Sequence, residues 1–250
     1  EAKVKSATFF TAQVDFTRSG ELLNFIDDHQ LKMVESLASQ QGFLDGRYLA
    51  LTFNLLRGND LIWSTVNKHY LLGEDYPAFD LLHWNGDVTN LPAKWHKDYL
   101  CDLYRDNKLV EPGTLSALGT PIDLRKVKTP TYVPAGREEH IAPASSVWKI
   151  RDHFKGPIRF VLAGSGHIAG VVNPPAQGKY QYWLNEDPKV SSLDDYIEGA
   201  VETKGSWWPD WLNWLSGQAP KQVAAKGARQ PGEGKLKAIE EAPGSYVKTR

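Results

Sequence analysis

Two residues in this sequence have the types and spacing needed to move a proton. Glu139 lies in REEHIAP and His167 in AGSGHIAG, 28 residues further on. Each follows a short apolar run that reads as a buried strand, TPTYVPAG at 129–136 and GPIRFVLAGSGH at 156–167. A carboxylate bonded to one imidazole nitrogen fixes the ring's tautomer, and the other nitrogen can then take a proton from a nucleophile. Glu139 and His167 suit these acid and base roles. An acid and a histidine after strands are also common as ordinary loop residues, so the spacing by itself leaves both readings open.

The nucleophile is missing from the pattern. Neither Gly-x-Ser-x-Gly nor Gly-x-Cys-x-Gly occurs. The single cysteine, Cys101 in KDYLCDLYRD, has no glycine beside it and reads as a small buried side chain in a helix. Ser165 precedes the histidine by two residues and is poorly placed to face it. His140 adjoins Glu139 and either lines the site or points away from it. His29, His69, His83, His96 and His153 lack HxxxH or HExxH spacing, so no metal site is expected. Gly164-Ser-Gly166 is not a dinucleotide fingerprint.

The elements that must position the pair read as follows. Residues 4–16, VKSATFFTAQVDF, form a buried strand, and Glu21 to Ser39 has helical spacing. From Asp45 to Asp106 the pattern is helical and aromatic, with Tyr48, Phe53, Trp63, Tyr70, Phe79, Trp84, Trp95 and Tyr99, cut by Gly73, Pro77, Gly86 and Pro92. The strand ending at Gly136, a helix from about Ala144 to Phe154 and the strand reaching His167 make a βαβ order, which implies a parallel sheet with its chemistry at one edge. The stretch from 168 onward is loop-rich, with a helix near 192–201. Trp207, Trp208, Trp211 and Trp214 then fall within one short stretch, either packed in a core or subunit contact or exposed to a hydrophobic polymer surface. The tail after Ala219 has seven Lys/Arg against three Glu.

Composition sets the outer limits. A chain of 250 residues, 24% charged and 41% hydrophobic, can bury a substantial core. A net charge of −1 gives no global field for nucleic acid or an anionic membrane, and no run is long enough to span a bilayer. One cysteine permits no internal disulfide, which suits the cytoplasm. The opening EAKVKSATFF carries neither an initiator methionine nor a signal peptide and reads as the middle of something longer.

Several segments resemble those of the polyhydroxyalkanoate synthases. REEHIAP is similar to the family's REDHIVP motif, and AGSGHIAGVVNPP to its SGHIAGVxNPP motif. LRGNDLIW, YPAFDLLHWNGDVTNLP, LVEPGTL and GSWWPDWLNWL also look like class I synthase segments. The similarity runs from about Val4 to Tyr246. It implies the C-terminal part of an α/β-hydrolase fold, with a core strand at 1–16, a helical cap at 17–115, the rest of the core at 116–220 and a basic tail at 221–250. It also implies an acyltransferase that polymerises 3-hydroxyacyl-CoA into polyester through a Cys–His–acid triad. His167 would be the general base, and the cysteine would lie upstream of Glu1. Acyl-CoA is substrate, and no cofactor is expected. The full-length protein is expected to be a cytoplasmic homodimer, with an association with the polymer granule surface, and this polypeptide alone to be inactive and poorly stable. Glu139 stands where the family has aspartate, and Ala144 where it has tryptophan. The extra methylene requires a shifted backbone or rotamer for the hydrogen bond to His167. A serine esterase or depolymerase, or a non-catalytic granule-associated homologue, are the competing expectations.

Overall fold

The structure is a computed structural model that describes residues 3–56, 58–76, 88–227 and 229–248. Pro77, Phe79, His83, Trp84 and Gly86 lie outside the described residues. The chain forms two compact units, Glu1–Pro209 and Asp210–Arg250.

The first unit is α/β and built on a five-stranded sheet. Strand β1 is Ala7–Thr8. A mainly helical segment follows: α1 at Asp28–Ser39, a short β2 at Phe43–Leu44, and α2 at Gly46–Leu56. Helical turns of π type then run over Asn59–Trp63 and Val66–Leu71. After β3 at Leu91–Pro92 come α3 at Ala93–Asp98 and a further π-type stretch at Tyr99–Arg105. β2 pairs antiparallel with β3 and so brings both ends of the α2 excursion together. A small hairpin, β4 at Ser116–Ala117 and β5 at Thr120–Pro121, leads to β6 at Thr131–Gly136. Next come α4 at Ala144–Trp148, α5 at Ile150–His153 and β7 at Ile158–Ala163. The unit continues through β8 at Gln181–Leu184, α6 at Leu193–Glu198 and β9 at Val201–Lys204. The last helix, α7, spans Trp208–Gln218. Beyond it the second unit is mostly exposed, with a 3-10 turn at Ser245–Lys248.

The sheet order is β1-β6-β7-β8-β9. β1, β6 and β7 pair parallel, β8 pairs antiparallel with β7, and β9 pairs antiparallel with β8. All six residues of β6 and the last four of β7 are buried, as expected of strands covered on both faces. Val133, Ala135, Phe160 and Leu162 meet Val147, Trp148, Ile150 and Tyr196 in the core. The Tyr196 hydroxyl donates to the Phe160 carbonyl at 2.7 Å, which satisfies a polar group inside an apolar layer.

Three sequence expectations change. The buried strand expected over 4–16 contracts to Ala7–Thr8, although Phe9 and Thr11 still donate to the Tyr132 and Pro134 carbonyls. Pro134 supplies the reason. Its carbonyl faces this neighbour, so the N–H it lacks is missing from the same seam. Thr11 then turns the chain with φ 43°. The helix expected over 144–154 is divided at Lys149. The loop-rich stretch after 168 contains β8 and β9, whose four-residue lengths left too little alternation to be read as strands.

Candidate active site

Strands β6 and β7 pair in register to their last residues, Gly136 opposite Ala163, so the loops that follow emerge side by side. The loops also bond to each other: Arg137 N donates to Ala163 O at 2.8 Å and Glu138 N to Ser165 O at 3.2 Å. Such closeness favours glycine at Gly136, where a Cβ would lie 3.0 Å from the Ser165 carbonyl oxygen and push the two loops apart by a few tenths of an ångström. One loop carries Glu139 and the other His167.

The structure brings these two side chains together. His167 Nδ1 is 2.6 Å from Glu139 Oε2. The other oxygen, Oε1, accepts from Ile141 N at 2.6 Å and Ala142 N at 3.3 Å, so the acid is fixed by its own loop. The Glu139 side chain is fully buried, while the imidazole is 42% exposed. Burial acts to raise the carboxyl pKa, but the hydrogen bond and charge of His167 and the two amides outweigh it and leave Glu139 below its ordinary range. The hydrogen bond to Glu139 raises the imidazole pKa against the opposing effect of burial, and the carboxylate charge adds to the rise. Nε2 has no hydrogen-bond partner among the described residues, which leaves it available to a third group.

His167 opens on a cavity of about 710 Å³. Leu49, Ala50 and Phe53 of α2 and Val88 form one wall, and Ile141, Ile168 and Ala169 from the two loops form another. His140 lines the same cavity. So does Ser165, which has φ 117°, but no hydrogen bond joins it to His167. Cys101 is half-buried in the Tyr99–Arg105 stretch and does not line this cavity. Among the described residues no three His, Cys, Asp or Glu side chains converge as a metal site would.

A second polar cluster was not legible in the sequence. Asp15 is 4% exposed and accepts from the amide and hydroxyl of Thr17, from Asn107 Nδ2, and from Lys149 Nζ at 3.0 Å. Its Oδ2 also lies 3.2 Å from His153 Nε2. Burial favours the neutral acid, but these partners overcome it and hold the carboxyl well below its ordinary range. The Ser146 hydroxyl lies 2.7 Å from Gln13 Oε1 and 2.6 Å from the Asp15 carbonyl oxygen, between which it shares its one proton, extending the cluster to the start of α4 just after the Glu139 loop.

Fold and site together define an α/β protein with a carboxylate-oriented histidine at the C-terminal edge of parallel strands. The chain is homologous over its whole length to the C-terminal part of the poly(3-hydroxyalkanoate) polymerases. It is 46% identical over 250 residues to a poly(3-hydroxyalkanoate) polymerase subunit of Rhizobium meliloti, covering 100% of this chain and 40% of that one. It is 45% identical over 248 residues to the polymerase of Methylorubrum extorquens, covering 99% and 40%. With the Cupriavidus necator polymerase subunit it shares 43% identity over 255 residues, covering 100% and 43%. The chain thus spans about 40% of the length of these relatives. No protein-family profile matches it.

Proposed function

We propose that this chain supplies the base and acid of a poly(3-hydroxyalkanoate) polymerase of the class I type, with a nucleophilic cysteine contributed by sequence preceding Glu1. In this reading the five-stranded sheet belongs to an α/β-hydrolase core, and residues 17–115 form its helical cap. The observation that carries it is the 2.6 Å bond between His167 Nδ1 and the buried Glu139 carboxylate, with Nε2 unpartnered among the described residues and the histidine lining a largely apolar cavity. Nε2 takes the thiol proton, and the thiolate attacks the thioester carbonyl of 3-hydroxyacyl-CoA. The C–S bond to CoA breaks, the leaving thiolate takes up the proton, and an acyl-cysteine remains. The same imidazole then deprotonates the 3-hydroxyl that attacks an acyl-cysteine: the ester C–O bond forms, the acyl C–S bond breaks, and the expelled cysteine thiolate takes the proton back from the ring. Glu139 fixes the tautomer and balances the charge on the ring. Leu49, Ala50, Phe53 and Val88 enclose the acyl chain. CoA and its acyl group are substrate, and the reaction needs no resident cofactor.

The full protein is read as a cytoplasmic homodimer that works at the surface of its own product. Trp63, Tyr70 and Leu71, all strongly exposed, offer apolar contact area there. No helix among the described residues is long and apolar enough to cross a membrane.

The test is CoA release from 3-hydroxybutyryl-CoA by the protein complete with its upstream sequence. Release is expected, His167→Gln abolishes it, and Glu139→Gln lowers it by about 10,000-fold, the loss typical when a base is left in the wrong tautomer. Absence of release from a complete protein that has a cysteine ahead of this segment overturns the reading.

A further inference from the structure

The loop that carries His167 makes one helical turn, with Gly170 N donating to Gly166 O at 2.9 Å and Val172 N to Ile168 O at 2.8 Å. Two consecutive carbonyls at the end of that turn are taken by two consecutive tryptophans. Trp207 Nε1 donates to Gly170 O at 2.7 Å, and Trp208 Nε1 donates to Val171 O at 2.9 Å. Trp207 is 1% exposed. A buried indole N–H must find an acceptor, because leaving it unmade costs the desolvation of the group. Here that requirement is met by the histidine loop itself.

The other face of Trp207 makes the arrangement informative. Its ring stacks on Tyr132 at 5.9 Å and leans on Phe10 at 5.8 Å. Tyr132 is fully buried in β6, the strand that delivers Glu139. One side chain therefore touches the strand that presents the acid and hydrogen-bonds the loop that presents the base. Gly170 is itself constrained, since a Cβ there would lie 2.6 Å from the Gly166 carbonyl oxygen, so the residue whose carbonyl Trp207 holds cannot be other than glycine without the turn changing.

We infer that Trp207, assisted by Trp208, is a positioning residue that sets the distance between His167 and Glu139 by tying the histidine loop to β6. The inference rests on the acid–base reading of that pair and not on the identity of the substrate. The sequence leaves two alternatives for these tryptophans, packing in a core or subunit contact and an exposed polymer-facing surface. The indole hydrogen bonds give the first two a more specific task than either.

Imidazole titration by NMR in the protein selectively labelled on histidine, with His167 assigned through His167→Gln, tests this without any catalytic assay. Trp207→Phe keeps an aromatic ring against Tyr132 and removes the donor. The expected result is a His167 midpoint that falls toward that of a free imidazole while the fold is retained. Trp208→Phe removes the second donor from a less buried ring, should produce a smaller fall, and serves where Trp207→Phe does not fold. Trp148→Phe is the comparison, because Trp148 is buried against Phe160 and Tyr196, on a different element from the histidine loop. An unmoved His167 midpoint in the folded Trp207 variant, or in the Trp208 variant where only that one folds, overturns the inference. So does an equal fall in Trp148→Phe. Failure of CoA release in the complete protein would instead overturn the polymerase reading and leave this measurement standing.

Discussion

Glu139 carries one methylene more than the aspartate of the motif it resembles, and the added length is absorbed locally. The side chain folds back so that one oxygen meets the amides of Ile141 and Ala142 while the other reaches His167. A pH prediction belongs to this pair. The Glu139 pKa is lowered by folding, so its contribution to stability is present above its ordinary value of 4.5 and is lost as pH falls through the folded value. The His167 pKa is raised, so its contribution is complete below 6.5 and fades as pH rises through the folded value. Denaturant melts of the protein and of Glu139→Gln should therefore differ most between about pH 4.5 and 6.5 and converge on both sides. A difference that keeps growing into alkaline solution would mean the pair is not ionic. The residues of this pair were legible because acid and imidazole each close an apolar run, and because the surrounding motifs are specific. Their contact was not legible, since it depends on register between strands that the sequence does not record.

Elements explain how two loops 28 residues apart meet. β6 and β7 are adjacent and parallel, joined by α4 and α5, and their buried faces hold the sheet against those helices and α6. Phe160 sits at the centre, edge-on to both Trp148 at 4.9 Å and Tyr196 at 5.2 Å. Phe160→Ala should cost about 3–5 kcal/mol through lost burial and the cavity left behind. Calorimetry would register it as a lower melting temperature, and a loss under 1 kcal/mol would count against this packing. The parallel strands were readable as unbroken apolar runs bounded by glycine. β8 and β9 were not, because each has four residues, and β9 is exposed throughout and shows no alternation. The contraction of β1 has a different cause: what ends its pairing is a proline on the neighbouring strand.

At the scale of the whole chain, the Asp15 cluster connects three distant stretches of sequence, namely 13–19, 104–107 and 146–153. No local pattern announces such a meeting, since each partner looks like an ordinary surface residue in its own segment. Asp15→Ala leaves Lys149 and His153 facing each other without their shared anion. It is expected to destabilise the first unit by about 1–3 kcal/mol, the cost of leaving partly buried donors without their acceptor, since both side chains reach solvent and Lys149 keeps Asp152 at 4.0 Å. Chemical denaturation followed by tryptophan fluorescence would measure this, and an unchanged midpoint would show the cluster to be dispensable. The same cluster constrains the grafting of parts between relatives. A hybrid gene that exchanges the helical stretch after β1 must place its crossover points so that Asp15 and Asn107 come from one parent. Otherwise the transplanted stretch brings a stem that no longer fits its socket.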